Sequence, residues 1–344
     1  MVFAQVFGHE NSSITLISVP DTSYKSFRLF EDNELLEITL RFDLKAYVRS
    51  KANEQHLKAR ITIHLSETDS LREKIRLKRR GEFRNTYCVY PPIELNFKKA
   101  DFGYSDLNNI SELKLVPQCR LGSENQNYVL KEYLIYKLFN ELTDTSFRVR
   151  LLSVNFIDSE NKRKSVTQYG FFIEPLEMLT ERTNAIQIKT SALTQKSIVP
   201  EIMDRLAIFN YMIGNYDWSI PGQHNVKVIK HLTMNPPSLG IAIPYDFDWT
   251  GLVNASYAIP AENVGTQNVK ERIFLGICRS REVYQKTLEI FKAKKESFYR
   301  IINEFPYLNE KEKKDMIFYL DTFYNQFSGR RDITVDLCNS CKDF

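Results

Sequence analysis

The dominant hydrophobic periodicity of this chain switches near Pro175, and that switch constrains the fold more than any other feature. Up to about residue 174 apolar residues tend to recur at every second position, as in LLEITLRFDL (Leu35–Leu44), LKARITIHL (Leu57–Leu65) and EKIRLKRR (Glu73–Arg80). Such alternation, rich in β-branched residues, predicts antiparallel, half-buried strands. Pro91-Pro92 before IELNF predicts an edge strand or a loop entering one. ELKLVPQ (Glu112–Gln118), FRVRLLSVNFID (Phe147–Asp158) and TQYGFFIE (Thr167–Glu174) continue the strand set. One helix interrupts it over Asn125–Leu142, with Val129, Leu130, Tyr133, Leu134, Leu138 and Leu142 at helical spacing.

Past Pro175 the period becomes helical. IVPEIMDRLAIFNYMIGN places Ile202, Leu206, Phe209 and Ile213 on one face, with Pro200 near its entry. Helical patterns also dominate from Val269 to Phe327, beginning with VKERIFLGI. Between them NVKVI (Asn225–Ile229) and GIAIPYDF (Gly240–Phe247) predict a hairpin. Segregated strands and helices define an α+β protein. The expected organisation has three parts. A strand-rich extension over 1–70 is either separate or joined to the next unit. A strand-rich unit covers 71–176, and a helical unit over 177–344 holds the hairpin.

With 344 residues the chain suits about two domains or one two-lobed unit. A net charge of +4 is weak and argues against nucleic acid as a partner. The one dense basic stretch, Arg72–Arg84, alternates as a strand does and reads as a solvated strand face. No apolar run approaches the ~20 residues of a membrane span, so no integral span is expected. MVFAQVFG resembles the tail of a signal peptide, which leaves a secreted or periplasmic location open beside a cytoplasmic one. The five Cys are odd in number and scattered, which argues against a disulfide framework. Cys338 and Cys341 read as part of a frayed tail, since no second Cys pair or His supports a zinc site.

Chemistry concentrates in Gly214–Gly251. Asp217 lies in a loop after an apolar-faced helix, Asn225 opens a strand, Asp246 ends the hairpin, and Asp248 follows on the same side. Loop Asp, Asn, hairpin, Asp is the order needed for metal-assisted phosphoryl transfer. One carboxylate serves the attacking hydroxyl, while an Asn amide oxygen and a further carboxylate hold Mg²⁺ against nucleotide phosphates. Asp and Asn are also common turn formers; it is their combination around one hairpin that points to a site. A matching cation would be Lys114 on ELKLV, with Glu132 on the next helix to hold it; Lys98 and Lys99 are rivals. Glu174 ends the strand where a nucleotide base would sit, or is a plain strand end. No G-x-G-x-x-G or Walker A motif occurs; RRGEFR either offers backbone N–H groups near Arg80-Gly81 with Arg84 beside them or is an ordinary turn.

IRLKRRGEFR…PPIELNF resembles the R-G-N-x-S-x-R segment of spore-coat CotH-like proteins, TQYGFFIEPLEML their G-x-Y-x-L-x-E-x-I strand, and NYDWSIPGQHNVKVI…IPYDFDWTG their N-x-D…N…P-x-D-x-D segment. The resemblance spans about Ile75–Gly251, and its last segment is the most specific. It implies an atypical protein kinase with a two-lobed protein-kinase-like fold, a strand-rich N-lobe and a helical C-lobe. It further implies ATP, Mg²⁺ or Mn²⁺, and a protein Ser/Thr hydroxyl as acceptor. Asp217 is then the catalytic acid of the loop, and Asp246 and Asn225 are metal ligands. The sequence departs from the family pattern at R-G-E-F-R and at Cys88-x-x-Pro91-Pro92. The rival readings are an inactive scaffold for protein assembly and a small-molecule phosphotransferase.

Overall fold

A computed structural model of the chain describes residues 25–50, 56–233, 239–260, 265–327 and 332–342. The signal-like MVFAQVFG stretch lies outside them. The strand-rich half contributes β1 (Leu36–Phe42), β2 (Leu57–His64), β3 (Ser70–Arg79), β4 (Ile93–Asn96), β5 (Glu112–Pro117), β6 (Val149–Asp158) and β7 (Val166–Ile173). They close into a barrel in the order β1-β2-β3-β4-β5-β7-β6. Period-two alternation fills the interior: Leu40, Ile61, Leu77, Ile93 and Leu115 have no exposed surface. Each such side chain contributes roughly 1.5–3 kcal/mol of burial.

The α+β class is correct, but the expected two-lobed protein-kinase-like fold is not. The strand-rich half is a closed seven-stranded barrel. Closure comes from β1, which pairs in parallel with β6 from Leu36↔Leu152 to Phe42↔Asp158. A sheet without that pairing would be open, and alternation within one strand carries no record of which distant strand completes it.

Short helices α1 (Leu44–Arg49), α2 (Phe83–Tyr87) and α3 (Ser105–Asn108) decorate the barrel. The long α4 (Ser123–Leu142) lies against the outer face of β6 and β7. Its other side meets the helical half, made of α5 (Leu176–Arg182), α6 (Pro200–Ile213), α7 (Arg281–Asn303), α8 (Glu310–Tyr324) and α9 (Ile333–Ser340). A small sheet of β8 (Ala185–Gln187), β9 (Val226–His231) and β10 (Ile241–Pro244) completes it, in the order β10-β9-β8. Among the described residues no helix is long and apolar enough to cross a membrane.

Two further expectations fail. VKERIFLGI is not helical. Its Arg272 donates to the Met212 and Tyr319 carbonyls (3.1 and 2.7 Å) and sits over the Tyr319 ring, while Phe274 is buried between Tyr211 and Tyr284. These tertiary contacts outweigh the local helical pattern. The cysteines are not scattered either. Cys88 is bonded to Cys119 and Cys278 to Cys341, leaving Cys338 as a free thiol. The second pair ties α9 to the segment before α7, so the C-x-x-C is a staple rather than a frayed end. Pairing depends on proximity in space, which spacing along the chain does not disclose.

Candidate functional site

A cavity of about 480 Å³ lies between the outer face of the barrel and the β9–β10 hairpin. Lys114 on β5 and Arg80 after β3 line the barrel side; Asp217, Asn225, Asp246 and Asp248 line the other. The fold therefore brings these candidates into one site although they are spread over more than a hundred residues. Arg84 and Gly81 also line it.

The Asp217 loop is held by the end of α6. Gly214 ends that helix at φ 66°, and a Cβ there would collide with the Tyr319 hydroxyl. Both the left-handed backbone and the close contact require glycine. The Gly251 N–H donates to the Gly214 carbonyl (3.0 Å), which ties the segment after Asp248 to the segment before Asp217. Buried Asn215 accepts from the Asp217 N–H through Oδ1 (2.9 Å) and donates to Asn210 Oδ1 (2.9 Å). Asp217 is half exposed; its Oδ2 accepts from Asn225 Nδ2 (3.0 Å) and its Oδ1 lies 2.9 Å from His224 Nε2. Sequence reasoning misses His224, whose only signal is its place directly before Asn225.

Asn225 and Asp246 both have left-handed backbones, φ 51° and 66°. Asn and Asp tolerate that region better than other side chains, and such residues cluster at functional sites. Asn225 also fixes the hairpin, its carbonyl accepting from the Tyr245 N–H (3.0 Å). The Asp246 N–H donates to Tyr136 Oη on α4 (2.9 Å). Among the described residues no hydrogen bond or ion pair engages the Asp246 carboxylate, which leaves it free to face the cavity.

Helix α4 presents Tyr128, Glu132 and Tyr136 at four-residue intervals, one face of a helix. Tyr128 accepts from the Ser256 N–H (3.1 Å) and Tyr136 from Asp246, so one helical face carries both ends of the Asp246–Ser256 segment. Glu132 lies between them, with 1% of its surface exposed. It does not hold Lys114, contrary to expectation. Its Oε2 lies 3.3 Å from Arg84 Nη1, and the same nitrogen is 3.8 Å from Asp248 Oδ2. Arg84 Nη2 also donates to the Pro117 carbonyl (3.2 Å), and Tyr257 donates to Asp248 Oδ2 (3.1 Å). The arginine on α2 reaches Glu132 because α2 lies beside the end of β5, where Cys88–Cys119 anchors it. Burial raises the pKa of both Glu132 and Asp248, the nearby carboxylates add to it, and Arg84 opposes it. One guanidinium thus faces two buried carboxyls.

Among the described residues Lys114 faces the cavity without a carboxylate partner within ion-pair distance, as do Arg80 and Lys227. Burial, then the neighbouring Arg80 and Lys227, push its pKa down to about 8, against the pull of Asp246 and Glu177. Lys98 and Lys99 are exposed on the barrel, Lys98 pairing with Glu112 (3.4 Å), and neither lines the cavity. Glu174 does not face the cavity either. It is buried and clasped by Arg182, Nε to Oε1 at 2.7 Å and Nη2 to Oε2 at 2.9 Å. Its neighbours Ile173 and Leu176 line the cavity with Phe147 and Val116, giving an apolar floor.

Among the described residues no three His, Cys, Asp or Glu side chains form a preassembled metal site. That does not conflict with Mg²⁺, which binds through one or two carboxylates together with substrate phosphates and waters. The free Asp246 carboxylate and the Asn225 amide oxygen are hard donors of that kind. Asp248 is already engaged by Tyr257 and Arg84. A scan of the sequence against protein-family models returns no match, and a search among curated proteins returns none either.

Proposed function

We propose that this cavity binds a magnesium nucleotide and transfers its terminal phosphoryl group to a protein hydroxyl, the activity implied by the likeness to CotH-like proteins. The observation that carries the reading is the convergence of a free carboxylate, a loop aspartate, an Asn amide and unpartnered cations around one cavity with an apolar floor. Asp246 and Asn225 would hold Mg²⁺ or Mn²⁺, with Asp248 behind them. The metal would neutralise charge on the phosphates. Lys114, Arg80 and Lys227 would bind phosphate oxygens, and Val116, Phe147 and Ile173 would take the base of ATP.

Asp217 would accept the proton of the acceptor hydroxyl as its oxygen bonds to the γ-phosphorus and the bond to the ADP oxygen breaks. His224 and Asn225 orient that carboxylate. Catalysis would come from positioning and charge stabilisation. The rival reading, an inactive assembly module, draws on Lys114, which lacks the helix carboxylate that would steady it.

The ionisation of Lys114 provides a test. Its ammonium loses its proton as pH rises through about 8, so phosphate binding should weaken above that value. From pH 7 to pH 9 the affinity of the wild type for Mg-ATP should fall up to about tenfold, the loss expected one pH unit above that pKa. Lys114→Met should bind weakly with no such pH dependence. Calorimetric titration of both proteins checks this. Identical pH profiles would remove Lys114 from the phosphate site, and no ATP binding at either pH would favour the inactive module.

A further inference from the structure

The outer face of β1, β2 and β3 carries a lattice of like charge that no internal contact explains. The register sets Arg41 opposite Arg60, Arg60 opposite Lys74, and Lys58 opposite Arg76. With Arg72 this makes six exposed cations on three adjacent strands. Among the described residues none of the six is in an ion pair. Like charges directly across a sheet destabilise it, so three cations in one rung work against the fold. The lattice does not stop at the sheet. Along β3 the same face continues through Lys78, which pairs with Glu94 (2.9 Å), to Arg80, which lines the cavity. The Arg80 N–H still donates to the Pro92 carbonyl (2.9 Å), which carries the ladder to the cavity edge. From Arg72 to Arg80 the track is about 27 Å long at strand spacing.

We infer that this face docks an extended acidic segment of a protein and leads it into the cavity; that the segment belongs to the phosphoryl acceptor rests on the function proposed above. Charge complementarity sets the sign of the partner. The surface sets its class. The outward positions of these strands hold no Phe, Tyr or Trp on which bases could stack, the interaction that carries much of single-strand nucleic-acid binding. No large apolar side chain is exposed on these strands to anchor in a bilayer. An extended peptide repeats every two residues at the same ~7 Å as the strands beneath it. It is also slender enough to follow the track to Arg80.

Labelled polyglutamate is the probe, titrated by fluorescence anisotropy against the wild type and a triple variant, Arg60→Gln, Lys74→Gln and Arg76→Gln. All three positions are solvent-exposed, so the variant should keep the wild-type fold and its affinity for Mg-ATP. Its affinity for polyglutamate should fall at least about tenfold, and wild-type binding should weaken as salt rises. Equal binding by both proteins, or none by the wild type, overturns the docking face. Tighter binding of duplex DNA or of phosphatidylserine vesicles than of polyglutamate assigns the lattice to those partners and overturns the acidic segment. If polyglutamate binds and Mg-ATP does not, the docking face stands and the phosphotransfer reading falls.

Discussion

Arg84→Met should destabilise the protein by about 3–5 kcal/mol, the cost of stranding buried carboxyls without their cation. Arg84 is the sole guanidinium placed against Glu132 and Asp248 among the described residues, and Glu132 is among the least exposed ionisable groups there. Urea unfolding at neutral pH reads the loss directly. The isosteric Glu132→Gln should be far milder, because it removes a carboxyl that competes for one guanidinium. The two variants should also differ in pH dependence. A carboxyl whose native pKa lies above its unfolded value binds more protons when folded, so its contribution is present at low pH and lost as pH rises. Wild-type stability should therefore decline on account of this cluster as pH rises from the ordinary carboxylate range toward about 7, the value to which Asp248 is pushed, and Glu132→Gln should flatten that decline. Equal stability of Arg84→Met and wild type would show that the cluster does not hold α2 to α4.

If the cavity transfers phosphoryl groups as proposed, Asp217→Asn should lower transfer by about 10³-fold, within the range for losing a general base, while leaving Mg-ATP affinity near that of the wild type. The amide keeps the size of the carboxylate and can still contact His224 and Asn225, so the loop stays in place. What disappears is the basic oxygen for the acceptor proton. Transfer followed by mass spectrometry of the acceptor, beside calorimetry of ATP binding, separates the two effects. A variant with undiminished transfer would remove Asp217 from the chemistry; one that loses ATP affinity as well would make it a binding residue instead.

Most local elements of this protein are legible in its sequence, VKERIFLGI excepted, and its long-range pairings are not. The helix expected over Asn125–Leu142 is α4, and the hairpin expected around Asn225 and Asp246 is β9–β10. Each follows from spacing within a few turns of chain. Barrel closure depends on β1 finding β6 more than a hundred residues away, and alternation is the same whichever partner a strand takes. The disulfides escape notice for the same reason.

The site divides along the same line. Asp217, Asn225 and Asp246 are recognisable because they crowd into a short segment. Lys114 is legible as a strand cation, but its surroundings are not. Glu132 points from α4 as its position demands, yet it meets Arg84, because α2 reaches that helix and β5 does not present Lys114 to it. Glu174 resembles a site residue only by its place at a strand end, and Arg182 from the next helix claims it.

The most direct measurement is the thermal midpoint of the wild type and of Asp246→Ala in saturating ATP, with and without Mg²⁺ or Mn²⁺. A ligand that binds the native state raises the midpoint by mass action, by an amount equivalent to about 2.7 kcal/mol at a hundredfold excess over Kd. A metal-dependent rise is expected in the wild type and should be abolished by Asp246→Ala. No rise in the wild type, or the same rise in both proteins, would contradict the proposed function.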